Sequence, residues 1–168
     1  MKNKATIWLS VHDEIWLERH NGGRSPSDWQ IFFERPLLAV LERLKRKGSY
    51  MVSVWLSNND SIRALNKKHR NIDRETDVLS FPQYSREELK NLKDVLLGDV
   101  VLSYNVINDA VSSISGSFLD AVAHLFVHGV LHNFGYDHGT EADEEEMLSL
   151  ESDILRNLEI VLPHYEVR

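Results

Sequence analysis

The sequence contains no cysteine among its 168 residues. Without cysteine the chain has no disulfide, no thiolate zinc site, no iron–sulfur cluster and no cysteine nucleophile. It also lacks an apolar run approaching the ~20 residues that a membrane-spanning helix requires. Residues 1–12 lack the apolar core of a signal peptide. These absences predict a cytoplasmic protein that does not associate with a membrane.

The rest of the composition is typical of a globular protein. Hydrophobic residues make up 42% of the chain and charged residues 27%, which is too apolar for a disordered protein. The length is close to that of one average domain. We therefore expect a single domain over residues 1–168 that buries about 70% of its unfolded surface.

The net charge of −7 by itself argues against a nucleic-acid partner. However, residues 139–168 contain nine acidic and two basic side chains, so the first 138 residues are neutral as a group. Two segments within them are locally basic, residues 43–47 and residues 63–74. An acidic protein with such basic segments can still bind a polyanion.

The apolar pattern predicts an α+β fold in which a small four-stranded sheet packs with helices. Strands are predicted at residues 5–11, 50–56, 77–81 and 99–102. Helices are predicted at residues 26–48, 60–69, 105–114, 118–134 and 141–158. Pro36 should kink or split the first helix, and Asp60 can cap the second. The four tryptophans are expected in the core, at positions Trp8, Trp16, Trp29 and Trp55.

Four of the eight histidines lie within fifteen residues. His128 and His132 are one helical turn apart, which places their Cβ atoms roughly 6 Å apart on one face, the spacing that lets two imidazoles reach one metal. Gly135 can adopt the left-handed conformation that ends a helix. The chain can then turn back and supply His138 as a third ligand. Three neutral imidazoles with an open fourth position are typical of a catalytic zinc site.

Two further positions refine this prediction. His124 lies about 12 Å along the helix axis from His132, so we expect it beside the ligands or in packing. The pattern His-x-x-x-His-x-x-Gly-x-x-His is also that of metzincin peptidases, whose general base is a glutamate directly after the first histidine. Gly129 occupies that position here. A metallopeptidase-like hydrolase is therefore the weaker alternative.

The segment from His128 to His138 closely resembles the signature of the YbeY family. The resemblance continues in order over roughly residues 50–165, whereas residues 1–48 agree only in general character. Its further blocks are Leu65-Asn66 with Arg70, Thr76 to Pro82, Leu97 to Val100, and the acidic run before Met147 and Glu151. Asn133 stands where the family usually has an apolar residue.

This resemblance implies a small mixed sheet packed with helices around a zincin-like site of three histidines. It also implies a single-strand-specific, metal-dependent endoribonuclease. Such an enzyme matures ribosomal RNA, notably the 3′ end of the small-subunit RNA, and takes part in ribosome quality control. The expected partners are therefore single-stranded RNA and ribosomal or small-subunit assembly factors, and no DNA. A non-catalytic assembly factor with a structural metal is a second alternative.

The spacing of the histidines and the resemblance together suggest roles for individual residues. One Zn²⁺ per chain is expected on His128, His132 and His138, although imidazole also suits Ni²⁺ or another transition metal. Arg70 matches the family's functional arginine, whose guanidinium could bind the scissile phosphate. Asp137 either orients a ligand or caps the next segment. Asp99 is either an acceptor behind the ligands or a carboxylate at a strand edge.

Overall fold

The structure is a computed structural model and describes residues 2–18, 23–114 and 116–161. All four predicted strands and all five predicted helices are present, with one further short helix and a 3-10 turn. The elements in chain order are β1 (Lys4–Val11), a 3-10 helix (Glu14–Leu17), α1 (Pro26–Arg43), β2 (Ser49–Ser57), α2 (Asn59–Arg70), β3 (Val78–Pro82), α3 (Arg86–Leu89), β4 (Val95–Ser103), α4 (Tyr104–Ile114), α5 (Phe118–Asn133) and α6 (Glu141–Asn157).

The sheet is mixed and has the strand order β1-β2-β4-β3. Strands β1, β2 and β4 run parallel, and β3 pairs antiparallel with β4. This arrangement confirms the α+β class and the mixed four-stranded sheet. Because β3 is an edge strand, the backbone groups on its outer side have no neighbouring strand in the part of the chain that the structure describes. One of them, the Ser80 carbonyl, accepts a hydrogen bond from Arg70, the last residue of α2.

The core lies on one face of the sheet, where side chains alternate inward with the period of two that a strand imposes. Ile7, Val54 and Val100 are fully buried on this face. Helix α5 packs against β3 and β4 of the sheet and also contacts helices α1, α4 and α6. Every residue of α5 from Ala121 to Leu131 is consequently buried, so side chains that this helix presents are held on a rigid support.

The other face of the sheet is covered in part by α2, whose Ile62 packs against Leu79 and Val101. The remaining part leaves Trp8 of β1 57% exposed, so the prediction that this tryptophan lies in the core is wrong. Trp16 and Trp29 are fully buried as predicted. The alternation of β1 predicts that Trp8 and Ile7 point to different faces of the sheet. Whether the face that carries Trp8 is covered depends on tertiary packing, which the strand pattern does not reveal.

Two predictions about helices also need correction. Pro36 does not split α1, which continues to Arg43, because Pro36 and its neighbour Leu37 are buried and that packing outweighs one lost backbone hydrogen bond. The N-cap of α2 is Asn58, whose side chain accepts a hydrogen bond from the Ser61 backbone N–H. Asp60 lies two residues later, inside the first turn of α2, so it does not cap the helix. Within the described ranges, none of the helices is long and apolar enough to span a bilayer.

Candidate metal centre and its cleft

The structure brings together the three histidines that the spacing singles out. His128 and His132 project from α5, and His138 follows in the loop before α6. One nitrogen of each imidazole lies within 4.8 Å of the other two. The ring centroids are 4.6 Å apart for His128 and His132, and 5.2 and 5.0 Å from each of these to His138. This cluster could hold a metal ion.

The loop that carries His138 is fixed by a tight turn. Gly135 has a φ of 88°, the left-handed conformation expected at this position. Its backbone lies so close to α3 that an added Cβ would be 2.5 Å from the Cβ of Arg86. The guanidinium of Arg86 forms a bidentate ion pair with Glu146 and lies 4.2 Å from the ring centroid of Tyr136. Arg86 thus holds the loop between α3 and α6.

Hydrogen bonds set the orientation of the two helical imidazoles. Nδ1 of His132 donates to the Tyr136 carbonyl at 2.9 Å, and Nδ1 of His128 donates to Oε2 of Glu151 at 2.8 Å. With both Nδ1 atoms protonated, each Nε2 carries a lone pair, and the two Nε2 atoms face each other at 3.0 Å. In tetrahedral coordination, two nitrogens at about 2.05 Å from one zinc are roughly 3.3 Å apart. The donor set therefore fits a transition metal between them.

The carboxylate behind His128 was not predicted. Glu151 lies on α6, is only 6% exposed, and accepts a hydrogen bond at its other oxygen from Nε2 of His124. His124 therefore lies next to the cluster rather than in it, as its distance along the helix predicts. A sequence signal for Glu151 existed, because it shares the inward face of α6 with Met147 and Ile154. An acidic residue on an apolar face requires a partner.

The protonation states also suit metal binding. Burial would raise the pKa of Glu151, but the hydrogen bonds from His124 and His128 outweigh that effect and lower the pKa to about 2. Burial lowers the pKa of His132 from 6.5 to about 4, and the repulsion that a second imidazolium at His128 would exert acts in the same direction. At neutral pH Glu151 is therefore ionised and His132 is neutral. Metal ligation requires imidazoles in the neutral form.

The histidines lie in a cleft of about 570 Å³ between α5, β3 and the end of α2. Arg70, the last residue of α2, lines the same cleft. Its Nη2 donates to the Ser80 carbonyl of β3 at 2.9 Å, and its guanidinium lies 5.9 Å from the ring centroid of Phe81. The structure thus places the sequence-predicted arginine and the three histidines around one cavity.

The basic side chains of residues 63–74 include two groups, one paired with an aspartate and one that lines the cleft. Arg63 and Lys67 both form ion pairs with Asp73, at 2.8 and 3.0 Å. Arg70 and Arg74 instead line the cleft. The cations of this segment that a ligand in the cleft would meet are therefore two arginines.

The second basic segment, residues 43–47, contributes contacts between helices. Arg43 pairs with Asp153 of α6 at 2.9 Å. Arg46 donates to the Leu89 carbonyl of α3 at 2.6 Å. These contacts hold the end of α1 against α6 and the segment after α1 against α3.

The position that carries the general base in metzincins has no access to the cluster. A Cβ on Gly129 would lie 3.0 and 3.1 Å from the two methyl groups of Val100. This side of α5 therefore packs directly against β4. A glutamate side chain at position 129 would have to displace the sheet. The packing of α5 against β4 therefore explains why this chain lacks the general base that a metzincin peptidase has at this position.

The two aspartates whose roles were open are now placed. Asp137 lines the cleft, and its Oδ1 accepts a hydrogen bond from the backbone N–H of His138 at 2.8 Å. Thr140, rather than Asp137, caps α6. The backbone carbonyl of Asp99 accepts a hydrogen bond from the side chain of Asn133, and Asp99 lies in β4 opposite Phe81 of the edge strand.

Comparisons with known proteins agree on one family. The family model described as Endoribonuclease YbeY matches residues 17–159. The chain is 35% identical over 152 residues to Endoribonuclease YbeY of Limosilactobacillus fermentum, covering 86% of this chain and 97% of that protein. It is 34% identical over 165 residues to Endoribonuclease YbeY of Agrobacterium fabrum, covering 94% of each. The protein of the same name from Zymomonas mobilis is 41% identical over 118 residues, which is 67% of each chain.

A solved structure supports the fold independently. The solution structure of TM1509 from Thermotoga maritima superposes with a TM-score of 0.54. The alignment covers 95% of this chain and 99% of that one, at 20% sequence identity. At this identity the likeness concerns the fold alone.

Proposed function

This chain belongs to the YbeY family of endoribonucleases, and we propose that it hydrolyses single-stranded ribosomal RNA with one metal ion on His128, His132 and His138. The observation that carries the proposal is the arrangement of the two helical imidazoles. Their Nδ1 atoms donate hydrogen bonds, which leaves the Nε2 lone pairs free for a metal. These lone pairs lie close to His138, in a cleft that Arg70 and Arg74 also line. We propose Zn²⁺ as the metal, one ion per chain; the imidazole ligands also suit Ni²⁺.

Each residue around the cleft has a distinct part in the proposed reaction. A metal ion held by the histidines would supply Lewis-acid activation of water for attack on phosphorus. Arg70 binds the scissile phosphate with its planar guanidinium and offsets the charge that develops in the transition state. The Ser80 carbonyl holds Arg70 over the cleft. Asp137 fixes the backbone of His138.

The recessed position of His128 in the cluster favours a single strand over a duplex. His128 is 9% exposed and lies on a buried helix, so a phosphate must enter the cleft to reach it. A flexible single strand can bend into such a recess, whereas an A-form duplex presents its phosphates on a rigid surface. Arg70 and Arg74 supply positive charge at the same wall.

Family membership is the basis for the biological part of the proposal. We place the enzyme in the maturation of ribosomal RNA, at the 3′ end of the small-subunit RNA, and in ribosome quality control. Small-subunit assembly factors would be its partners, in the cytoplasm where this RNA is processed. Residues 1–168 would act as one domain.

The test measures metal content and RNA cleavage on the same preparations. Wild-type protein is expected to hold about one transition metal per chain and to cleave single-stranded RNA. His132→Ala should lose both properties. His12→Ala is the matched control, because His12 is an exposed histidine that stacks on Trp55. Cleavage that persists in a His128→Ala/His132→Ala variant would exclude this site. Metal binding without cleavage under any metal would favour the non-catalytic assembly factor.

A further inference from the structure

One carboxylate of α6 lies in the interior of the protein. Among the acidic residues that the structure describes in α6, Glu151 is the buried one, with a side-chain exposure of 8%. Removing an ionised carboxylate from water is strongly unfavourable unless hydrogen bonds replace the lost hydration. A glutamate at this position therefore calls for partners of specific geometry.

The partners are two imidazoles on successive turns of α5. Oε2 of Glu151 lies 2.8 Å from Nδ1 of His128, and Oε1 contacts Nε2 of His124. The side chains of both histidines are also largely buried, with exposures of 11% and 9%. Each carboxylate oxygen thus faces one imidazole nitrogen, so both oxygens of Glu151 are held in place by hydrogen bonds.

The chemistry of this contact determines the tautomer of His128. An ionised carboxylate only accepts hydrogen bonds, so the nitrogen that faces it must carry the proton. His128 is thereby protonated at Nδ1, and its Nε2 presents a lone pair toward His132 and His138. The opposite tautomer would place a hydrogen at the point where the three imidazoles converge. His132 is held in the same tautomer by a backbone carbonyl, which no side-chain substitution removes.

We propose that Glu151 is a positioning residue for the metal centre. It fixes the orientation and the Nδ1–H tautomer of His128, and His124 holds the carboxylate in place from its other side. The inference rests on the proposed function, because it takes His128 as a metal ligand. Helix α6 thereby has a part in the site although, in the described chain, Glu151 is its only residue in hydrogen-bond contact with the histidine cluster.

The first experiment replaces Glu151 by methionine, which is similar in length and apolar. Metal affinity, measured by competition with a chromophoric chelator, is expected to fall about 10- to 100-fold. The ¹⁵N shifts of the His128 imidazole in the metal-free protein should move toward the Nε2–H tautomer, while those of His132 stay unchanged. Glu145→Met is the matched control, because Glu145 lies on the exposed face of the same helix. A Glu151→Met protein with wild-type affinity and an unchanged His128 tautomer would overturn the inference.

Two further variants keep the test decisive if the single substitution prevents folding. His124→Leu/Glu151→Met removes the carboxylate and one imidazole together, which leaves fewer unpaired buried groups. Glu151→Gln keeps the volume but lacks the charge. Both are expected to bind the metal more weakly than wild type, and unchanged affinity in both would refute the positioning role.

The outcome also separates this inference from the proposed function. Wild-type protein that binds no metal, or a His132→Ala variant that binds it normally, would contradict the metal site itself. Loss of metal in His132→Ala together with full affinity in Glu151→Met would contradict only the role of Glu151. A role in packing alone predicts a change in unfolding free energy without the change in the His128 ¹⁵N shifts.

Discussion

Burial of an ionisable residue links the site to the pH dependence of folding. The pKa of His132 is lowered to about 4, chiefly by burial, from the 6.5 expected in an unfolded chain. Between these values the unfolded chain binds a proton that the folded chain does not. The stability of the metal-free protein should therefore decrease as the pH falls from 6.5 toward 4. The pKa of Glu151 is lowered from 4.5 to about 2, so its contribution to stability is fully present above pH 4.5 and is lost as the pH falls from 4.5 toward 2.

This prediction can be measured by urea unfolding of chelator-treated protein at about pH 7 and about pH 5. The free energy of unfolding should be smaller at the lower pH. In His132→Gln the difference should shrink, because the group responsible has been removed. His69→Gln, a substitution of an exposed histidine, should keep the wild-type difference. Equal stability of the wild-type protein at both pH values would show that burial does not disfavour protonated His132.

A second prediction at this scale concerns Arg70. Arg70→Ala should leave the metal content unchanged and lower kcat/KM for single-stranded RNA by about tenfold or more, because a charge partner of the transition state is lost. Arg70→Lys should restore little activity, since an ammonium lacks the planar fork of the guanidinium. Arg63→Ala is the control, because Arg63 pairs with Asp73 on the surface. Full activity in Arg70→Ala would remove this residue from the mechanism.

At the scale of elements, the sequence predicted what depends on local periodicity. The spacing of His128 and His132 placed both imidazoles on one helical face, and Gly135 correctly indicated the turn that follows. The contact of Glu151 with His124 and His128 depends on which helix α6 packs against, and periodicity identifies an inward face without identifying its partner. The unbroken path of α1 through Pro36 likewise depends on burial rather than on local preference.

The turn after α5 yields a prediction with a control in the same loop. Gly135→Ala introduces a Cβ at a positive φ and within 2.5 Å of the Cβ of Arg86. We expect a loss of about 1–3 kcal/mol in unfolding free energy and weaker metal binding, because His138 is displaced. Gly139→Ala adds a Cβ 3.7 Å from Asp143 Oδ2, an ordinary contact, and should change neither quantity. Chemical denaturation and chelator competition measure both effects, and equal behaviour of the two variants would contradict this account.

At the scale of the whole molecule, the cleft joins residues that are distant in sequence. Arg70 at the end of α2, Ser80 in β3 and His132 in α5 line one cavity only because the mixed sheet places β3 at its edge beside α5. Local patterns predicted the elements, whereas this juxtaposition was expected only through the family resemblance. The basic segments show the same limit, since their composition did not reveal which cations are paired within the protein.

The distribution of charge leads to a prediction about RNA affinity. The protein is acidic as a whole, but Arg70 and Arg74 line the cleft while Lys67 is paired with Asp73. Binding of RNA phosphates should release counterions, so affinity should fall with salt with a log–log slope of about −0.7 for each phosphate neutralised. Arg74→Ala should reduce that slope by about 0.7 without changing the metal content. Lys67→Ala should reduce it less, because its charge is already offset.

Fluorescence anisotropy of labelled single-stranded RNA on metal-free protein separates binding from cleavage and gives the slope for each variant. The comparison within one basic segment distinguishes a phosphate contact in the cleft from a general effect of net charge, since both substitutions remove one positive charge. If Arg74→Ala and Lys67→Ala gave equal log–log slopes of affinity against salt, RNA affinity would depend only on the overall charge of the protein. Affinity that does not depend on salt would contradict phosphate recognition, and with it the entry of an RNA strand along the Arg70 and Arg74 wall.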